Sequence, residues 1–176
     1  SRFSIRVSAG GDKKLKRDDK PYPRISEHIG ELPVVMVSPD DVSLVSDSGE
    51  DRRRFLNMVL SQMDKEYLSD VQQYNRLLCQ RNSVLKSSSP DASLLEIMDS
   101  RMEVYASRIY ERRNEFISAL SPVVEKYYHM LSGGKESVCI NYRSDLEKGA
   151  LTQILSGLRG LDMALGYTSA GPKRDD

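Results

Sequence analysis

Two cysteines and two histidines are the side chains here best suited to nucleophilic or metal chemistry. Cys79 and Cys139 stand 60 residues apart, and His28 and His129 are isolated from both. Neither cysteine has the basic or helix-N-terminal setting that would lower a thiol pKa. Both lie among apolar residues, so they are expected as buried free thiols of a reducing compartment. His129 follows "KYY" near a helix end, where a capping or half-buried role is expected. A small hydrolase built on a Cys–His pair would need a pocket joining the two types. Glycine-rich stretches offer no phosphate loop. "SAGG" and "SGGKES" are glycine turns, and the second follows a helix instead of a strand.

Charge is balanced, with 26 Lys+Arg and 26 Asp+Glu. Any anionic partner must therefore be met by a local patch. The basic run Lys13–Arg17 leads straight into Asp18 and Asp19; it is either a solvated hairpin edge or a nucleic-acid arm. Three consecutive arginines follow at 52–54. At 100° per residue they spread over about 200° of a helix surface. Arg52 falls at the edge of the apolar stripe, and Arg53 and Arg54 point further toward solvent. No apolar run reaches the ~20 residues of a membrane span, and residues 1–20 have no signal-peptide core. No membrane partner and a cytoplasmic location are expected.

The elements that must position these groups are mostly helices. Alternation at Phe3, Ile5 and Val7, the turn "SAGG" and the return stretch predict a hairpin. "VVMV" (34–37) predicts a short strand buried on both faces. "SPDD" then opens a short helix over 38–45, with Ser38 as N-cap and Asp40 and Asp41 at the positive dipole end. Apolar spacing predicts a helix over 50–63, a second from near Asp64 to about Lys86, and a third over 91–131.

In the third, Leu95, Met102, Ile109, Phe116, Val123 and Met130 recur every seven residues. Pro122 is expected to kink it. The short turn at 87–90 makes the last two helices antiparallel neighbours. That fold brings Arg81 to Asp99 or Glu96, and Arg112 to Tyr67, with the stems in the seam. The helix over 50–63 is expected where the third overhangs the second. After "SGG", a strand is expected at 137–142, helices near 149–156 and 158–165, and a strand opening "GYTSAGPKRDD". The fold class is therefore α+β, mainly α. A helical lobe (47–135) is inserted between a β-rich part (1–46) and a return segment (136–176).

Three stretches in order carry a resemblance. They are "VVMVSPDDVSLV" (34–45), "GEDRRRFLNMVLSQMDKEYLSDVQQYNRLLCQRNSVLK" (49–86) and "GYTSAGPKRDD" (166–176). Together they resemble the RecF family of bacterial DNA replication and repair proteins, ABC-type ATPases of the SMC and Rad50 kind. The resemblance implies that this chain is the central portion, with the phosphate loop before Ser1 and the signature and acidic strand after Asp176. The portion itself would then hold no cofactor and no catalytic residue; ATP and Mg would belong to the whole protein. It also implies ATP-dependent homodimerisation, DNA binding at gaps and single-strand/double-strand junctions, and work with RecO and RecR to help load RecA in recombination and the SOS response.

Ser38 and Asp40, and Lys173, Arg174 and Asp175, fall at the two junctions that the resemblance links to nucleotide. An ion pair holding two lobes together is the alternative role for Arg174 and Asp175. The sequence departs from the family in having no Gln at the first junction and Lys173 where His is usual. Arg53, Arg54, Arg112 and Arg113 are the DNA-contact candidates, with salt links among helices as the alternative. A helical adaptor for a protein partner, with no nucleotide connection, is the competing function.

Overall fold

The computed structural model describes residues 1–34, 36–46 and 48–176, leaving aside the Asp40 side chain. Strands β1 (Phe3–Val7), β2 (Lys13–Arg17) and β3 (Lys20–Pro21) form one antiparallel sheet in the order β1-β2-β3. The hairpin register sets Ile5 opposite Leu15. Behind it, His28 rests against Phe3 and Tyr22, each with ring centroids 5.3 Å away. Glu31 ties this region to the helices by accepting from Arg17 (2.8 Å) and Lys65 (2.9 Å).

The short 38–45 helix is a 3-10 turn at Pro39–Val42 running into α1 (Ser43–Ser46). α2 spans Gly49–Met63, capped by the Ser48 hydroxyl, which accepts from Glu50 N–H (3.3 Å). Asp64 alone separates it from α3 (Lys65–Leu85). Its carboxylate caps α3 by accepting from the N–H groups of Glu66 and Tyr67. So short a joint makes α2 and α3 neighbours, and α2 packs mainly on α3 instead of on the α4 overhang. Asp91 caps α4, which runs from Ala92 to Leu131 straight through Pro122 as one 40-residue helix, roughly 60 Å long at 1.5 Å per residue.

α3 and α4 pack antiparallel, and α5 (Leu151–Leu165) packs against α4. The core holds Leu56 and Leu60 from α2, Tyr67, Tyr74 and Leu77 from α3, Met102, Ala106 and Ile109 from α4, and Leu151 and Leu155 from α5. The heptad reading fits this packing as far as Phe116, which touches the core cluster. Beyond it the repeat is unpartnered: Val123, Tyr127, Met130 and Leu131 are exposed.

Five local readings need correction. Val34, Met36 and Val37 are exposed and form no strand; Val35 lies outside the described residues. A strand needs a ladder partner, and among the described residues the Val34 N–H donates to the Gln62 side chain (3.3 Å) instead. Residues 137–142 likewise form no strand, because pairing is confined to Arg143 and Asp176, which exchange both backbone bonds (2.6 and 2.9 Å). One helix, α5, replaces the two expected near 149–165, and a 3-10 turn at Asp145–Lys148 precedes it behind a Ser144/Glu147 capping box. Both cysteines are exposed: Cys79 falls on the solvent side of α3, beside the buried Leu77, Leu78 and Arg81.

Gly166 ends α5 in the left-handed conformation (φ 71°). The segment after it is not a strand either, because side chains hold its backbone. Thr168 N–H donates to Asn82 (2.8 Å), Ser169 N–H to Asp162 (2.9 Å) and Gly171 N–H to Asp145 (3.2 Å). At Gly171 φ is 98°, and a Cβ would lie 2.7 Å from the Tyr74 hydroxyl and 3.0 Å from Leu151 Cδ1. Gly171→Ala is expected to cost about 1–3 kcal/mol, read as a lowered urea midpoint with an unchanged m-value; an unaltered midpoint would count against this packing.

Candidate functional site

Two buried arginines fasten the 166–176 segment to the helical hairpin. Arg81 of α3 is fully buried. Its Nε donates to Asp99 of α4 (2.6 Å), and one terminal nitrogen donates to both Asp162 of α5 (2.7 Å) and the Thr168 hydroxyl (2.8 Å). Arg159 adds a second cation, reaching Asp99 (3.4 Å) and Glu96 (2.8 Å). Two arginines thus face two buried aspartates, and Glu96 lies at the exposed margin. Asp162 uses its other oxygen to accept from the Ser169 backbone and hydroxyl (2.9 and 2.6 Å).

Arg113 of α4 does the same one layer along. It donates to the Tyr67 hydroxyl (3.0 Å), the Pro172 carbonyl (2.8 Å), Asp175 (2.5 Å) and Asn57 (2.9 Å). The Tyr67 hydroxyl in turn donates to Asn57 Oδ1 (2.6 Å). Tyr142, stacked on Tyr110, donates to the same Asp175 oxygen as Arg113. Burial pushes the Tyr142 hydroxyl well above its usual range, and the Asp175 charge adds to it. Burial works against the Arg113 charge, yet Tyr67, Tyr142 and Asp175 hold the guanidinium above its ordinary value. Outside this layer, Arg52 clasps both oxygens of Asp176 (2.6 and 3.0 Å), and the Arg52 hydrogen bond lowers that carboxyl's pKa.

The sequence-chosen residues therefore separate. Arg81 meets Asp99, one of the two partners expected for it. Tyr67 meets Arg113 instead of Arg112, because the seam drifts by one residue along a 3.6-residue helix. Arg113, only 3% exposed at its side chain, leaves the expected exposed cluster of DNA contacts. Arg112 stays near Tyr67 without a hydrogen bond to it: it pairs with Asp64 and Glu115 (3.3 Å each), in a groove that holds Tyr67 together with Glu66, Asp70 and Glu111. Asp175 spends its charge on Arg113. Ser38 gives its N–H to Asp41 (2.6 Å), and Asp40 falls outside the described side chains.

Arg53 and Arg54 of α2 come together with Lys173 and Arg174 along a groove of about 530 Å³ between α2, α3 and the 166–176 segment. Sequence reasoning did not join these pairs, which lie some 120 residues apart. Asn57, Tyr142, Asp162 and Thr168 were missed because their roles arise only from long-range contacts. Neither groove contains a cysteine or a histidine, so the two surfaces lack the pair that a Cys–His hydrolase requires. Among the described residues no group of acidic, His and Cys side chains is placed to hold a metal, and no helix is long and apolar enough to cross a membrane.

No family model matches the chain. Curated relatives do. A DNA replication and repair protein RecF of Parabacteroides distasonis is 43% identical over 93% of the chain and 45% of its own length. RecF of Porphyromonas gingivalis is 40% identical over 98% of the chain and 48% of its own length. The fold matches two solved structures of the recombination mediator protein RecF of the RecFOR pathway, described as RecF-ATPrS and RecF-ATP. TM-scores are 0.90, identities 27% and 28%, and each match covers 99% of this chain and 50% of the other. The chain spans about half the length of the curated relatives it matches, and over that half it belongs to the RecF family.

Proposed function

We propose that this chain is the arm-bearing central portion of an ATP-dependent DNA-binding protein that acts at gaps and single-strand/double-strand junctions. The observation that carries this reading is the fit of 99% of the chain, at a TM-score of 0.90, to a RecF described with ATP. ATP and Mg would be bound by the remainder of the whole protein, with dimerisation following. RecO and RecR would be its partners in loading RecA in the cytoplasm. The 166–176 segment supports a mechanical role for the junctions. Asp175 and Asp176 are clamped by Arg113 and Arg52, so a displacement of the segment passes directly to α4 and α2. This favours the lobe-holding role for Asp175 over direct nucleotide contact. No observation favours the adaptor reading specifically.

The test uses the full-length protein carrying this chain. Fluorescence anisotropy with a gapped duplex is expected to show tighter binding with Mg-ATP than without nucleotide. Light scattering is expected to show a dimer only with nucleotide. Gapped-DNA affinity and mass that ignore Mg-ATP would sink the reading. The isolated chain is expected to show no micromolar affinity for Mg-ATP by calorimetry.

A further inference from the structure

The groove between α2, α3 and the 166–176 segment has apolar wall residues, Val71, Leu78, Ile109 and Pro172, and its charged side chains are mostly cations. Arg53, Arg54, Lys173 and Arg174 line it against a single acidic side chain, Glu50. Arg53 gives one N–H to the Asp175 carbonyl (2.6 Å). Among the described residues, Arg54, Lys173 and Arg174 stand in no ion pair with a carboxylate. Two of the three amides along the wall, Asn57 and Asn82, are oriented the same way. Asn57 Oδ1 is occupied by Tyr67 and Arg113, and Asn82 Oδ1 by the Thr168 backbone and hydroxyl. In both, the oxygen is turned inward, leaving the NH₂ group as the donor end. On the floor the Tyr74 hydroxyl is buried and meets no hydrogen-bond partner. Burial and the Asp175 charge push its pKa up, so it is a neutral donor. At the rim Tyr167 is 40% exposed, with the Arg174 guanidinium 5.7 Å from its ring centroid.

Cations without carboxylate partners, amide donors and an exposed aromatic-guanidinium pair are the combination that holds a phosphodiester strand and stacks an unpaired base. From this geometry we infer that the groove seats single-stranded nucleic acid. Phosphates lie on Arg53, Arg54 and Lys173, and a base stacks at Tyr167 and Arg174. An acidic peptide would use the cations but gain nothing from Tyr167, and a duplex keeps its bases stacked internally. The inference rests on the DNA reading above and narrows it to one strand and one surface.

Anisotropy of the 176-residue chain with labelled oligo(dT) tests it, alongside a duplex of equal length and an oligoglutamate peptide. At about 50 mM salt, Arg54→Glu/Lys173→Glu is expected to weaken oligo(dT) binding at least ~10-fold and to flatten the log–log salt dependence by about 1.4. Tyr167→Ala is expected to weaken oligo(dT) ~5-fold or more and to leave the duplex within about twofold, because only an unpaired base can stack there. Arg101→Glu/Lys126→Glu, on exposed parts of α4 outside the groove, is the control, expected to bind as the parent. Circular dichroism melts establish that each variant is folded.

Groove variants that bind oligo(dT) like the parent would overturn the seat and leave the DNA reading standing. So would a chain that ignores oligo(dT) while the full-length protein binds gapped DNA. Preference for oligoglutamate would replace the strand by an acidic peptide. Failure of both chain and full-length protein to bind any DNA would remove both readings.

Discussion

Arg81→Met is expected to destabilise the chain by about 3–5 kcal/mol, a loss of roughly 6–20 °C in melting temperature at 2–4 °C per kcal/mol. The methionine fills the arginine stem's volume, so little packing is lost. What is lost is the cation between Asp99 and Asp162, both 3% exposed or less at the side chain. Arg159 still faces Asp99 at 3.4 Å, from a more exposed position, and cannot serve Asp162 as well. The cost therefore falls mainly on an uncompensated carboxylate in α5. Arg81→Met/Asp162→Asn is expected to recover part of the loss, since it removes that charge and keeps the oxygen that accepts from Ser169. Thermal and urea unfolding followed by circular dichroism decide it. A single variant within ~1 kcal/mol of the parent would show that the pair contributes little, and a double variant no better than the single would move the cost to packing.

The second large effect is expected at Asp175. Asp175→Ala leaves the Arg113 guanidinium buried without its counter-charge and frees the Tyr142 hydroxyl. The cost is again about 3–5 kcal/mol. Its location differs, because Arg113 also holds the Pro172 carbonyl. Residues 172–176 are expected to lose amide protection far more than α5 does, and hydrogen exchange reads this directly. Equal protection in both segments would mean that the clamp is not local. Lys173 and Arg174 lie inside the released stretch, so oligo(dT) affinity is expected to fall with it, although neither side chain is altered.

How much of this was legible beforehand follows from sequence distance. α4 was readable because its apolar period persists over many turns, and the hairpin followed from the short turn at 87–90. Given antiparallel helices, geometry then delivered Arg81 to Asp99. Choosing Arg112 over Arg113 failed by one residue, since a heptad count accumulates about 20° of error per repeat. The "VVMV" strand failed for another reason: apolar composition states an appetite for burial, but a ladder is a property of two segments. The Arg113–Asp175–Tyr142 cluster draws on α4, an irregular segment and the final residues. No periodicity couples these, so the cluster and the basic groove beside it became visible only in three dimensions. The family resemblance pointed at "GPKRDD" but not at its two opposite fates: Asp175 turned inward, and Lys173 and Arg174 turned out to the groove.

The unpartnered end of α4 has a mechanical consequence. From Arg113 to Leu131 the helix extends about 27 Å at 1.5 Å per residue, with its outer apolar residues exposed. Its root is gripped by a side chain that also grips the 172–175 loop. A tilt of about 5° at that root sweeps the tip through about 2.4 Å over this length. Displacements too small to break a hydrogen bond near Asp175 are thereby magnified into ones large enough to make or lose a contact at Tyr127 and Met130. The rod works as a pointer rooted where Phe116 and Ile117 meet the core, beside the Arg113 guanidinium.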